Sequence, residues 1–118
     1  MPTEWSNGKV DAYKLGVGFL QELEPEAVDG YHRFTGSCFA DGTIDIKNKQ
    51  LVALGISLFA NNEVCTLYHA QEALTHGASA REIAEVAMVA AAVGSGHSMS
   101  QSVNRLQDAL HAASSAGL

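Results

Sequence analysis

Cys65 and His69 stand four residues apart in the stretch Asn62-Glu63-Val64-Cys65-Thr66-Leu67-Tyr68-His69. Four residues is about one helical turn, so on a helix the thiol and the imidazole share a face. Cysteine reacts as its thiolate, which is favoured by an imidazole that accepts the proton and by the partial positive charge of a helix N-terminus. The pair therefore reads as a redox or nucleophilic centre. The same spacing also suits a core position, because a buried cysteine packs as a small hydrophobe.

The elements that must position this pair read as helices. Residues 1 to 9 contain Pro2, Ser6, Asn7 and Gly8 and read as an N-terminal arm docked by Trp5, with the domain occupying residues 10 to 118. Tyr13, Val17, Leu20 and Leu23 recur at helical spacing, and Pro25 suits the first turn of a second helix running from about Glu26 to Phe39. Cys38 reads as a core residue of that helix. Asp41-Gly42 predicts a tight turn before a third helix from about Lys47 to Ala60, apolar enough to be buried around most of its circumference. Asn61 or Asn62 can cap a fourth helix that holds Cys65 and His69 and stops at Gly77. Ser79-Ala80-Arg81-Glu82 fits a capping box for a fifth helix reaching Val93, and Gly94-Ser95-Gly96 predicts a break before a sixth, from about Ser98 to Ala113. No alternation is long enough for a sheet. The expected fold is all-α, a single-domain bundle of about six helices.

Composition narrows the function. The net charge is −6, from 13 acidic against 7 scattered basic residues, which argues against nucleic acid as a partner. Two cysteines make no disulfide framework, Met1 to Lys9 is polar rather than signal-like, and the longest apolar runs are about half the length of a membrane span. A cytoplasmic protein without membrane association is expected. The Ala- and Val-rich fifth helix has so little polar face that it predicts packing against another subunit.

The run Lys47-Asn48-Lys49-Gln50-Leu51-Val52-Ala53-Leu54, then Cys65-Thr66-Leu67-Tyr68-His69, then Ala73, Gly77-Ala78-Ser79 and Glu82-Ile83, resembles the carboxymuconolactone decarboxylase superfamily, and more closely its AhpD-like branch. The match covers about residues 31 to 110. The resemblance implies a small all-α protein assembled into homotrimers or homohexamers. It also implies antioxidant chemistry of the peroxiredoxin type, in which a Cys-x-x-Cys motif, a following His and a Glu on the preceding helix reduce peroxides or disulfides. Carried over by position, Cys65 takes the second cysteine and His69 the histidine. The first cysteine position holds Asn62 and the glutamate position holds Gln50.

Both departures have chemical consequences. A local dithiol cycle needs two sulfurs, and an amide cannot take a proton at neutral pH. Glu63 is no replacement, since on a helix its side chain leaves about 200° away from that of Cys65. Three options follow: a one-cysteine centre oxidised to a sulfenic acid and resolved by an external thiol reductant, a distant resolving role for Cys38 if the Cα atoms approach within about 7 Å, or a site drifted to another small-molecule reaction or to binding. The second reading is a decarboxylase-type lyase, for which Arg33, Arg81 or His97 would hold a carboxylate. The third is a non-catalytic oligomeric binding protein. Cys65, His69 and Gln50 form the expected catalytic set, with Asn62 and His97 against the substrate. His32, His76 and His111 read as surface residues, and no cofactor or metal is expected, because Cys65 and His69 are one pair where zinc needs three or four ligands.

Overall fold

A computed structural model describes the backbone of residues 3–117 and the side chains of residues 8–117. The architecture is all-α, with five helices: α1 (Thr3–Leu23), α2 (Pro25–Phe39), α3 (Ile46–Phe59), α4 (Glu63–Thr75) and α5 (Ala80–Ser115). No strand occurs among the described residues. None of the described helices is long and apolar enough to cross a membrane.

Local signals set most helix ends. Pro25 occupies the first turn of α2, where its missing N–H is no loss. Asp45 caps α3 by accepting from Asn48 N at 2.9 Å, and Asp41 Oδ1 accepts from Ile46 N at 2.7 Å, so the Asp41-Gly42 turn feeds directly into the helix start. At the end of α4, Gly77 takes φ 97°, Gly77 N–H donates to Leu74 O at 3.1 Å and Ala78 N–H donates to Ala73 O at 2.9 Å. These are the two bonds of a Schellman stop. Ser79 and Glu82 form the reciprocal capping box of α5. The second oxygen of Glu82 accepts from Lys47 Nζ at 3.0 Å, which ties α5 to the start of α3 and holds the carboxyl below its ordinary range.

Two expectations are corrected. Residues 3–9 are helical and continuous with α1 rather than a loose arm; Val10 is buried at 3% exposure and Lys9 Nζ bonds Glu63 at 2.6 Å, which anchors this turn against α4. The Trp5 side chain lies outside the described residues. The break expected at Gly94-Ser95-Gly96 is absent, and α5 runs unbroken for 36 residues. A helical glycine costs about 1 kcal/mol relative to alanine but keeps its N–H and C=O in the ladder, unlike proline. A Cβ built on Gly94 would stand 3.8 Å from the Phe59 ring of α3, an ordinary contact, so the packing there does not require glycine.

The packed centre is small. Leu51, Ala73 and Ala78 form the buried cluster with Ile83 and Val86 against it, and Leu54 and Val10 are also buried. Against expectation, α3 is not buried around most of its circumference. Val52, Ile56 and Phe59 are 58%, 64% and 55% exposed and line an apolar groove of about 660 Å³ between α3 and α5. Farther along α5, Met99, Val103, Leu106 and Leu110 form an exposed stripe. The radius of gyration is 19.9 Å, where a compact chain of 118 residues has about 13–14 Å. Its accessible surface of 8567 Å² exceeds the roughly 6,100 Å² of a compact monomer of this size by about 2,400 Å².

Candidate functional site

Helices α1, α2, α3 and α4 enclose a cleft of about 750 Å³ that contains both Cys65 and His69. Asn62 sets the local geometry. As N-cap of α4 it accepts from Cys65 N at 2.9 Å through its side-chain oxygen, which places Cys65 in the first turn, at the positive end of the helix. His69 follows one turn later on the same face. Both side chains line the cleft, with no direct hydrogen bond from the thiol to the ring among the described residues.

The His69 ring is held on three sides. Its Nδ1 lies 2.7 Å from Gln50 Oε1, Phe39 stacks on it at 5.5 Å with an interplanar angle of 15°, and Tyr68 meets it edge-on at 5.1 Å. Gln50 reaches the ring from α3 and is itself buried, at 4% exposure. With the amide oxygen facing the ring, Nδ1 carries the proton and Nε2 keeps a free lone pair. Burial pushes the His69 pKa below its ordinary 6.5, against a smaller upward pull from Glu72. The neutral imidazole is therefore the resting form at pH 7, and Gln50 orients it without offering a charge to stabilise the imidazolium.

Two measurements follow from this arrangement. Because the folded His69 binds its proton more weakly than the unfolded chain does, the unfolded state takes up more protons as pH falls below about 6.5. The melting temperature should fall from its plateau above pH 6.5 as the solution is acidified into the depressed range, and His69→Gln should flatten that limb. Gln50→Glu places a charged acceptor on Nδ1. The ring's proton affinity should rise by at least about tenfold, read by NMR titration of the imidazole, since an opposite charge within hydrogen-bond reach favours the charged form by that order.

The other expected site residues are placed as follows. Asn62 stands behind Cys65 as its cap and is not part of the cleft lining. His97 lies within α5, edge-on to Phe59 at 5.7 Å, and the fold does not bring it to the cleft. Cys38 is exposed rather than in the core, and it also lies outside the lining, although Thr35, Gly36 and Phe39 of the same helix are in it. Glu63 is exposed and engaged by Lys9. Arg33 and Arg81 do not line the cleft, whereas Lys14 does. His32, read as a surface residue, is exposed but lies at the cleft wall. No group of three or more His, Cys, Asp or Glu side chains suited to a metal ion occurs among the described residues.

Sequence reasoning missed the aromatic wall. The chain has three tyrosines, and Tyr13, Tyr31 and Tyr68 all line this cleft. Tyr13 reads as a member of an apolar stripe, and only the docking of the α1–α2 hairpin on α4 turns it and Tyr31 toward Cys65. Tyr68 had a signal: it is three residues from Cys65, on the same helical face.

Comparison with known proteins agrees with the fold. A structure of a protein from Methanobacterium thermoautotrophicum is similar with a TM-score of 0.70 and 28% identity, over 75% of this chain and 97% of that one. An uncharacterized protein of Cupriavidus necator is 27% identical over 79 residues, which is 67% of this chain and 70% of the relative. The family model for the carboxymuconolactone decarboxylase family matches residues 25–114, a span that includes Gln50, Cys65 and His69. On that match, the chain belongs to the carboxymuconolactone decarboxylase family.

Proposed function

We propose that the cleft is a one-cysteine thiol centre that reduces hydroperoxides at the expense of an external thiol. The observation that carries the reading is the shared cleft: Cys65 at the start of α4 and a neutral His69, oriented by Gln50, face one cavity. His69 Nε2 takes the thiol proton, and the thiolate attacks the distal peroxide oxygen. The O–O bond breaks, an alcohol leaves with that proton, and Cys65 becomes a sulfenic acid. A first external thiol condenses with it, releasing water and leaving a mixed disulfide; a second releases Cys65 and the oxidised thiol dimer. The external thiol is required because Cys38 lies outside the cleft. The test is peroxide consumption with a thiol reductant, with mass spectrometry of the protein after peroxide alone and after adding the thiol. A sulfenic acid and then a mixed disulfide on Cys65 support the reading, and a thiol that stays unmodified while peroxide is consumed sinks it. The neutral His69 base favours a decarboxylase-type lyase as the second reading, which requires turnover of small carboxylates that survives Cys65→Ser.

We further propose that the working form is a homo-oligomer, a trimer or hexamer. The partner surface is the apolar groove between α3 and α5 together with the exposed stripe on α5, covered by further copies of the chain. The accessible surface in excess of a compact monomer is about three times the roughly 800 Å² that one partner contributes to a standard interface.

A further inference from the structure

The cleft wall opposite α3 carries groups that the Cys65–His69 pair does not use. Lys14 lines it from α1, with Nζ 5.9 Å from the centre of the Tyr68 ring. The Lys9–Glu63 and Lys14–Tyr68 contacts set α1 alongside α4, with Lys14 level with Tyr68, three residues past Cys65. Among the described residues Lys14 has no carboxylate partner, and the hydroxyls of Tyr13 and Tyr31 have no intramolecular acceptor. Burial, aided by neighbouring Tyr31 and Cys65, raises the Tyr13 pKa, so its hydroxyl stays a donor through neutral pH. Glu72 is the carboxylate in the lining. It lies seven residues past Cys65, about 10 Å along the axis of α4, and one turn past Tyr68, where its charge acts on both Tyr68 and His69.

We propose that Lys14, with the hydroxyls of Tyr13 and Tyr31, seats the carboxylate of the incoming thiol, so that the reductant used by Cys65 is a small anionic thiol rather than a neutral or cationic one. This rests on the one-cysteine reading for its role in turnover, but the seat itself is a property of the cleft. A cation in the same cleft as the sulfur raises the local concentration of anions around it and leaves neutral reagents unaffected. The thiol's own reactivity is common to both kinds of reagent, so a ratio of rates isolates the charge effect.

The experiment measures alkylation of Cys65 by iodoacetate and by iodoacetamide in a Cys38→Ser background, in which Cys65 is the one thiol. In each case the thiolate sulfur displaces iodide and forms a thioether. Lys14→Gln should lower the iodoacetate-to-iodoacetamide ratio by about three- to tenfold, the size expected for one charge within roughly 10 Å near a protein surface. Lys14→Glu should lower it further, Lys14→Arg should preserve it, and molar salt should compress the differences. A ratio unchanged within twofold across these variants overturns the seat. In turnover, 3-mercaptopropionate should outpace 2-mercaptoethanol, and cysteamine should be slowest, an order that Lys14→Glu should abolish. If no thiol supports turnover while the alkylation ratio still follows residue 14, the one-cysteine reading fails and the anion seat stands. If turnover proceeds with no preference among the three thiols, the seat fails and the thiol centre stands.

Discussion

Cys65→Ser is expected to lower thiol-dependent peroxide consumption by about two orders of magnitude or more, to the level of the buffer. A hydroxyl cannot cycle through a sulfenic acid, and serine is a far weaker nucleophile without a strong base. Cys65 is partly exposed and its backbone N–H stays capped by Asn62, so the substitution removes the sulfur and leaves the helix start in place. His69→Gln should give a smaller loss, of about a hundredfold, because general-base assistance is typically of that order and the thiol itself persists. Cys38→Ser should leave the rate unchanged, since that thiol is exposed outside the cleft. Equal rates for the parent protein and Cys65→Ser would remove the thiol from the chemistry altogether.

Val89→Asp is expected to break the proposed homo-oligomer and to lower the melting temperature by about 10 °C or more. Val89 lines the groove between α3 and α5 and is 63% exposed in the single chain. For a chain that works alone, a carboxylate there is a surface change worth less than about 0.5 kcal/mol. If a second copy covers the groove, the same carboxylate is buried unpaired, at a cost of several kcal/mol. Each kcal/mol moves the melting point of a domain this size by roughly 4–8 °C. Sedimentation or light scattering distinguishes the outcomes. Ser37→Asp on the exposed face of α2 is the control, and an unchanged mass and melting point for Val89→Asp would rule out the groove as an interface.

The parts of the fold legible in the sequence are those governed by side chains a few residues apart. Pro25, Asn62, Gly77 and the Ser79/Glu82 box each act on their own turn, and each marks a helix boundary in the structure. Gly94 and Gly96 misled because a glycine pair lowers local helix preference but leaves the backbone ladder intact, so α5 runs through both. Cys38, Val52 and Ile56 misled for a different reason. Their apolar character pointed to burial, and the chain leaves all three exposed. Within the site, Cys65 and His69 are visible because one helix carries both. Lys14, Tyr13 and Tyr31 reach the cleft only through the docking of α1 and α2, which no local pattern encodes.

The cap on α4 also marks a fork between two uses of one position. Asn62 Oδ1 fastens the backbone N–H of the residue that bears the thiol, and in the dithiol pattern of the AhpD-like branch a sulfur stands at that position. Sulfur is a weak acceptor, so a cysteine at 62 would loosen the first turn of α4 by about the 1 kcal/mol that a good cap contributes. Position 62 can anchor the reactive residue or share electrons with it, but not both. This chain holds Cys65 in a firmly started helix, and under the proposed thiol chemistry the second sulfur would come from solution.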